Sequence, residues 1–201
     1  TTDQNGAIVQ PISAPKDVYS DFGGLEISSS STQLQELTDA FIYLQSYPFE
    51  CSEQISSRIL SVAALRDVLT AFNAKDMPNK AAIEAKMKSD IQRLQKLQHS
   101  DGGFSFWRND DESFPYLSVH VAHALARAKA KGYVVPKEMI AKVSGYLKSI
   151  ETKAAKLKYS QESIWAISAY SLYVRDLFGD KDSLKAQKLL KDVGLEKLSP
   201  E

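Results

Sequence analysis

The sequence predicts an all-α protein, an array of antiparallel helix pairs preceded by a short extended, β-like N-terminal segment. Two observations point there. From Ser31 onward, apolar residues recur at three- and four-residue steps, the period of a helix with one face turned inward. The successive segments also alternate between one-faced and almost wholly apolar, joined by short links, as outer and inner helices of a paired array do.

Residues 1–31 differ from the rest. Ala7–Ile12 and Gly24–Ser28 read as short extended pieces, separated by Pro15, Gly23 and polar residues. Isolated strands of this kind need a sheet from elsewhere, so residues 1–31 are expected to be a linker leaving a preceding β domain. Residues 32–201 are expected to form the helical domain.

In that domain Leu34, Leu37, Phe41 and Leu44 make an apolar stripe from about Thr32 to Ser46, and Pro48 ends the helix. The next helix, Ser52 to Asn73, carries Ile55, Ile59, Leu60, Val62, Leu65, Val68, Leu69 and Phe72 around most of its circumference. It is expected to be an inner helix. Lys75–Asn79 breaks it, and a charged amphipathic helix follows over Lys80–Gln98, with Ile83, Met87, Ile91, Leu94 and Leu97 inward.

Asp101-Gly102-Gly103 then forces a tight turn, since Gly tolerates the positive φ that other residues resist, and the turn is expected to throw Phe104, Phe106 and Trp107 inward. Pro115 opens a helix over Tyr116–Lys131 with Leu117, Val121, Ala124, Leu125 and Ala128 on its packed face, ended by Gly132. Lys137–Thr152 forms another, and the Lys-rich run from Lys148 to Lys158 reads as a solvated face leading into a link. Gln161–Phe178 is apolar round much of its surface and stops at Gly179. Lys181–Asp192 is the last helix.

Basic and acidic residues balance at 25 each, so no net field draws the chain to nucleic acid or to an acidic membrane surface. No apolar run approaches the roughly 20 residues that cross a bilayer. The chain begins with Thr and stops without a natural finish, so it reads as a piece of a longer protein, and a missing leader says nothing of its location. The single cysteine excludes an internal disulfide framework and a multi-cysteine metal site. His120 and His123 share a metal-like spacing, but no carboxylate joins them on that face, so neither a metal nor another cofactor is expected.

The chemistry concentrates in Tyr47-Pro48-Phe49-Glu50-Cys51-Ser52-Glu53-Gln54-Ile55-Ser56-Ser57-Arg58. Cys51 and Gln54 fall in the first turn of the helix that starts after Pro48, and a spacing of three puts them on one face. The positive end of the helix dipole favours the thiolate, the nucleophilic form. Attack on the Gln54 carboxamide with loss of ammonia leaves an internal thioester, an acyl group that any amine or hydroxyl reaching it can take up. Such a bond survives only where water is kept out, a role assigned to Tyr47, Phe49 and Trp107, while Glu53 orients Gln54 or simply favours the helix start. The plainer reading makes Cys51 a small buried apolar side chain and Gln54 a capping residue.

The flanks decide between these readings. Cys-x-Glu-Gln behind Tyr-Pro-aromatic resembles the thioester motif of the alpha-2-macroglobulin and complement family, and Ser56-Ser57-Arg58 resembles its bacterial branch. The resemblance runs from about Leu25 to Val193; Glu50 departs from it, the vertebrate members having Gly there. It implies a partial α/α-toroid, the first part of a thioester domain fed by a β domain. It implies no turnover enzyme but a single-use trap. A protease cuts a bait region elsewhere in the full chain, the Cys51–Gln54 bond is exposed, and Gln54 acylates a lysine of the attacker. The partners implied are target proteases and the neighbouring β domains, and the location periplasmic, cell-surface or secreted.

Some family members pass the acyl group through a histidine, but it lies much further from the cysteine than any histidine here. The role is therefore not carried to His120, read as a packed or hydrogen-bonded helix residue. The Asp-Gly-Gly-aromatic turn also resembles, more loosely, those of terpene cyclases, but there is no Asp-rich protonation motif. A Cys protease lacks an assignable histidine. A non-covalent scaffold or docking module that keeps the motif unused is the alternative.

Overall fold

The computed structural model describes residues 2–4, 7–13, 15–19, 21–25, 27, 34–71, 78–108 and 112–198. Contacts divide the chain into two units, Thr1–Ser31 and Thr32–Glu201. In the first, β1 (Thr2–Gln4) pairs antiparallel with β2 (Ala7–Val9), Asp3 opposite Ile8. The extended piece at Ala7–Val9 thus pairs locally with Thr2–Gln4. Gly24, Leu25 and Ile27 form no strand, and Glu26 and Ser28 lie outside the described residues.

The second unit is helical among the described residues: α1 (Leu34–Ser46), α2 (Ser52–Ala71), α3 (Lys80–Leu97), α4 (Pro115–Ala130), α5 (Lys137–Lys148), α6 (Ile150–Lys156), α7 (Gln161–Leu177) and α8 (Ser183–Val193). A short 3-10 turn, Leu195–Lys197, follows. Side chains that accept hydrogen bonds from the backbone start three of these helices: Asn79 from Ala82 N at 2.9 Å, Ser160 from Ser163 N at 3.2 Å, and Asp182 from Lys185 N at 3.1 Å. Pro115 starts α4 at the position where its missing N–H costs nothing.

The packing centres on α4. It lies against α2 and α7, with α1 and α3 against α2, α5 against α4, and α6 and α8 against α7. Its Leu117, Val119, Val121, Ala122, Ala124, Leu125 and Ala128 are all buried, which covers far more than the single face expected of it. The small residues explain the difference. Ser118, Ala122 and Ala126 look polar or neutral in the sequence, yet they let neighbouring helices approach closely and so are buried as well. Conversely, α2 is buried all round only in its first half. Ala64, Asp67, Val68 and Thr70 reach solvent further on, Leu37 of α1 is exposed, and Phe72 lies outside the described residues, as does most of the expected break at Lys75–Asn79. On α7, Tyr173 and Leu177 are exposed, and an apolar groove of about 780 Å³ runs between α6, α7 and α8, lined by Ile164, Trp165, Leu184 and Leu189.

The helix expected over Lys137–Thr152 is two helices broken at Ser149. There the Ser149 hydroxyl donates to the Tyr146 carbonyl at 3.2 Å, competing with the regular ladder. The break re-aims the chain so that Ile150 and Ala154 are buried. The Lys-rich run is accordingly α6 and no mere link. Lys153 donates to Asp101 at 2.7 Å and lies over the Tyr146 ring at 4.9 Å, and Lys156 pairs with Glu112 at 3.0 Å.

The Asp-Gly-Gly turn docks on α5. Gly102 has φ +90°, and a Cβ on it would sit 2.2 Å from the Lys142 carbonyl oxygen; one on Gly103 would sit 2.5 Å from the Tyr146 ring. The Asp101 carboxylate accepts from Gly103 N at 3.0 Å and from the Ser113 hydroxyl at 3.0 Å, while Gln98 Nε2 donates to the Gly102 and Met139 carbonyls. Because both the φ and a backbone collision oppose it, Gly102→Ala should lower the unfolding free energy by about 2–4 kcal/mol in denaturant titration. A loss under about 0.5 kcal/mol would mean that the turn moves off α5 freely.

Candidate functional site

Pro48 lies just past the end of α1, and the chain crosses through Tyr47–Glu50 to the head of α2. The helix itself begins at Ser52, so Cys51 is its cap and not a first-turn residue. Its carbonyl accepts the first helical bond, from Ile55 N at 3.0 Å. The side chain of Gln54 bends back over the cap, and its Oε1 accepts from Cys51 N at 3.0 Å. This is the reciprocal half of a capping box, and it lays the Gln54 carboxamide beside the Cys51 backbone.

This contact has chemical meaning beyond capping. If the sulfur adds to the carboxamide carbon, the oxygen that becomes an oxyanion already faces a backbone N–H at the positive end of a 20-residue helix.

Cys51 is only 2% exposed. The cover comes from an unexpected quarter. The Ser52 N–H donates to the Phe106 carbonyl at 2.8 Å and the Ser52 hydroxyl to the Ser105 carbonyl at 2.7 Å. The turn at 101–103 therefore brings backbone, not indole, onto the head of α2. Phe104 is fully buried and Phe106 half-buried, as the turn was expected to place them, but Trp107 is 69% exposed, its ring tilted against Phe106 with the centroids 5.5 Å apart. Phe49 is also 69% exposed, and Tyr47 is half-buried between Tyr43 and Phe49. Phe49 and Trp107, chosen from the sequence as inward shields, thus stand outward because the chain turns on Glu50 and Ser105, whose polar bonds face in.

Glu50 accounts for that turn. Its carboxylate takes hydrogen bonds from Arg58 at 3.0 Å and from Lys86 and Arg93, and its carbonyl takes one from Arg93 Nη2 at 2.8 Å. Hydrogen bonding from Lys86 is the largest influence on it. With the charges of Lys86, Arg58 and Arg93 it outweighs burial and holds the carboxyl below the usual range. Arg58, 1% exposed, is gripped by Asp90 through Nε at 2.7 Å and Nη2 at 2.8 Å, leaving only Nη1 without a partner among the described residues. Sequence reasoning used Arg58 only as part of a motif and missed Asp90, Lys86 and Arg93. The available signal was a guanidinium amid the apolar residues of α2, since a cation there needs a buried carboxylate.

On the adjoining flank, Glu53 is the acidic residue in the first turn of α2, as one of its two readings had it. Its Oε1 accepts from the Ser57 hydroxyl at 2.8 Å, and Ser57 Oγ lies 3.1 Å from His120 Nε2 on α4. His120 is hydrogen-bonded, as the sequence reading had it, and burial keeps it below its ordinary value of 6.5 against the pull of Glu53. His123 Nδ1 meets the Tyr170 hydroxyl at 2.9 Å. Burial, with Arg127 and His120 adding to it, pushes this histidine down to about 4. His99 bonds Ser105 at 2.9 Å. Among the described residues no group of three potential ligands could hold a metal.

Two expectations follow. Asp90→Ala leaves Arg58 buried and half paired, and it should cost about 3–5 kcal/mol in denaturant unfolding. For the histidines, the folded values lie below the unfolded one, so the unfolded chain binds more protons as acid is added. Their stabilising contribution is complete above pH 6.5 and drains as the pH falls towards about 4, with Glu50 extending the loss to lower pH. Unfolding curves across that range that do not shift would contradict it.

Comparison with known proteins gives the family. Residues 20–179 match the family model described as "A-macroglobulin TED domain". The chain is 28% identical over 156 residues to the alpha-2-macroglobulin of Rickettsia conorii, covering 76% of this chain and 8% of that protein. It is 30% identical over 141 residues to the circularly permutated Ras protein 2 of Dictyostelium discoideum, covering 66% and 4%. This chain is therefore a small part of the length of the relatives it matches. In fold it is similar to native Escherichia coli alpha-2-macroglobulin solved from domain MG7 to the C-terminus, with a TM-score of 0.69, 21% identity, and coverage of 81% of this chain and 26% of that one. The helical array around α4 is thus part of an α/α-toroid, and the chain belongs to the alpha-2-macroglobulin thioester-domain family.

Proposed function

We propose that this chain is the first part of the thioester domain of a bacterial alpha-2-macroglobulin-like, broad-spectrum protease inhibitor, with residues 1–31 linking it to a preceding β domain. Cys51 and Gln54 form the thioester. The single observation that carries the reading is the Gln54 carbonyl oxygen held 3.0 Å from Cys51 N at the head of α2, with the sulfur buried.

Closure forms a bond between Cys51 Sγ and Gln54 Cδ and breaks the bond from Cδ to Nε2, releasing ammonia. In the trap, a lysine amine of the attacking protease adds to Cδ and the sulfur leaves as thiolate. The bond reacts once, so the protein is an inhibitor and not a turnover enzyme. Phe49 and Trp107 stand exposed beside the site, where a neighbouring β domain of the full chain can complete the exclusion of water before cleavage of the bait region opens it. Such an inhibitor works outside the cytoplasm, at the cell surface or in the periplasm, and among the described residues no helix is long and apolar enough to cross a membrane.

The same exposed rim supports a second reading, a docking module that never closes the bond. In the full-length protein a closed thioester lowers the mass by about 17 units, the ammonia lost. Methylamine should add about 31 units, leaving the protein about 14 above its sequence mass, and free one thiol. Cys51→Ala should abolish both the deficit and covalent protease capture. Full mass, a freely titratable thiol in the untreated protein and capture that persists in Cys51→Ala would leave the docking module instead.

A further inference from the structure

The thioester reading leaves Ser52, the residue between Cys51 and Glu53, without a role. Ser52 is fully buried, and both of its donors reach one short segment. Its N–H donates to the Phe106 carbonyl at 2.8 Å and its hydroxyl to the Ser105 carbonyl at 2.7 Å. That segment, residues 104–106, is fastened at its other end as well. Phe104 N donates to Ser118 Oγ of α4 at 2.8 Å, and the Phe104 carbonyl accepts from Phe114 N at 2.8 Å. Residues 104–106 therefore form a strap that runs from α4 to the head of α2, with Phe104 and Ser105 buried.

The strap and the Gln54 carboxamide occupy consecutive backbone donors. Cys51 N carries the carboxamide oxygen at 3.0 Å, and Ser52 N, the next amide, carries the Phe106 carbonyl. Adjacent amide nitrogens lie within about 4 Å of each other, so the end of the strap and the carboxamide are neighbours on one stretch of backbone. Cys51 is 2% exposed although Phe49 and Trp107 stand outward. A segment held at one end by two hydrogen bonds opens without unfolding the domain, at a frequency that those bonds set.

Resting on the thioester reading, we propose that Ser52 is the latch of this strap, and that release of residues 104–106 from the head of α2 sets how fast, and with which nucleophiles, the closed thioester reacts. Water and small amines enter during brief openings. A lysine side chain brings a protein surface with it and needs the strap held off. In either case the nucleophile's oxygen or nitrogen bonds to Gln54 Cδ and the bond from Cδ to Cys51 Sγ breaks with its electron pair on sulfur. The proton that the nucleophile loses ends on the thiolate or in solvent. Ser52 takes part in none of these exchanges. It acts through the strap, and so determines access and specificity. Without its hydroxyl the Ser105 carbonyl loses a buried partner, while the opened strap gives that carbonyl to water, which favours the open form by about tenfold.

The test follows thiol release in the full-length protein with water alone, with methylamine and with cyclohexylamine, a larger amine of like basicity. The mass of each protein before reaction reports whether the thioester is closed. In Ser52→Ala, thiol release with water and methylamine should rise about tenfold, and with cyclohexylamine by more, narrowing the gap between the two amines. Ser118→Ala, changed at the strap's other end on α4, should act in the same sense. In the wild type the Ser52 amide, freed whenever the strap opens, should exchange its hydrogen much faster than global unfolding allows. Closed thioesters in both variants with wild-type rates and selectivity would overturn the latch, as would a Ser52 amide that exchanges only by global unfolding. A rise in Ser52→Ala that Ser118→Ala does not share would also overturn it, since the effect would then belong to the helix cap. If Ser52→Ala is isolated with its thioester open, Ser118→Ala and the wild-type exchange decide. A wild type of full mass that takes up no methylamine sinks the thioester reading itself, an outcome visible before any variant is made.

Discussion

A helix that begins inside a protein presents several N–H groups with no partner and no water to satisfy them, and the head of α2 is such a place. Its first donors are met by the Gln54 carboxamide oxygen on Cys51 N and by the Phe106 carbonyl on Ser52 N. One arrangement therefore does two things. It closes the cap that lets α2 start where it does, and it lays the Gln54 carboxamide over the backbone of Cys51. The turn that supplies the Phe106 carbonyl exists only because two glycines allow the chain to lie against the Lys142 carbonyl and the Tyr146 ring. The cap of α2 is thereby tied to α5, an element remote from it in the sequence.

The charge cluster works in the same direction. Glu50, immediately before Cys51, is fastened to Arg58 one helix turn beyond Gln54 and to Lys86 and Arg93 of α3, while Asp90 fixes the Arg58 guanidinium in two directions. A guanidinium taken out of water is costly unless its donors are met, and one nitrogen here stays unmet. The gain is positional. The chain entering α2 has one course, set by bonds to two helices, and that course leaves Phe49 outward and Cys51 inward.

Around this head, α4 acts as the common wall. It buries its small residues against α2, presents His120 to Ser57 on one side, and joins His123 to Tyr170 of α7 on the other. The α2 flank of Gln54 is thus polar and hydrogen-bonded, while the flank towards Phe106 is backbone and aromatic. Cys51 is buried at the head of α2, while the aromatics Tyr43, Phe49 and Trp107 are exposed. That asymmetry is what the proposed thioester, a bond to be kept dry and then presented to a partner, requires.

Helix positions, the role of Pro48 and Pro115, and the juxtaposition of Cys51 with Gln54 were legible in the sequence, because each depends on neighbours within one or two turns. The Asp-Gly-Gly turn was legible for the same reason, and the thioester motif carried the family. Whether an aromatic near the motif points in or out was not legible, since Phe49 and Trp107 follow from bonds made by Glu50 and Ser52 to residues dozens of positions away. The break at Ser149 and the depth of α4 escaped notice too, for small and polar residues bear no periodic mark of burial. The pairing of Ser57 with His120 and of Arg58 with Asp90 was decided by how α2, α3 and α4 pack. Local sequence determined which side chains could react, and tertiary structure alone determined which charges and hydroxyls stand beside them, because ion pairs and hydrogen bonds form between helices whose relative placement no short-range pattern encodes.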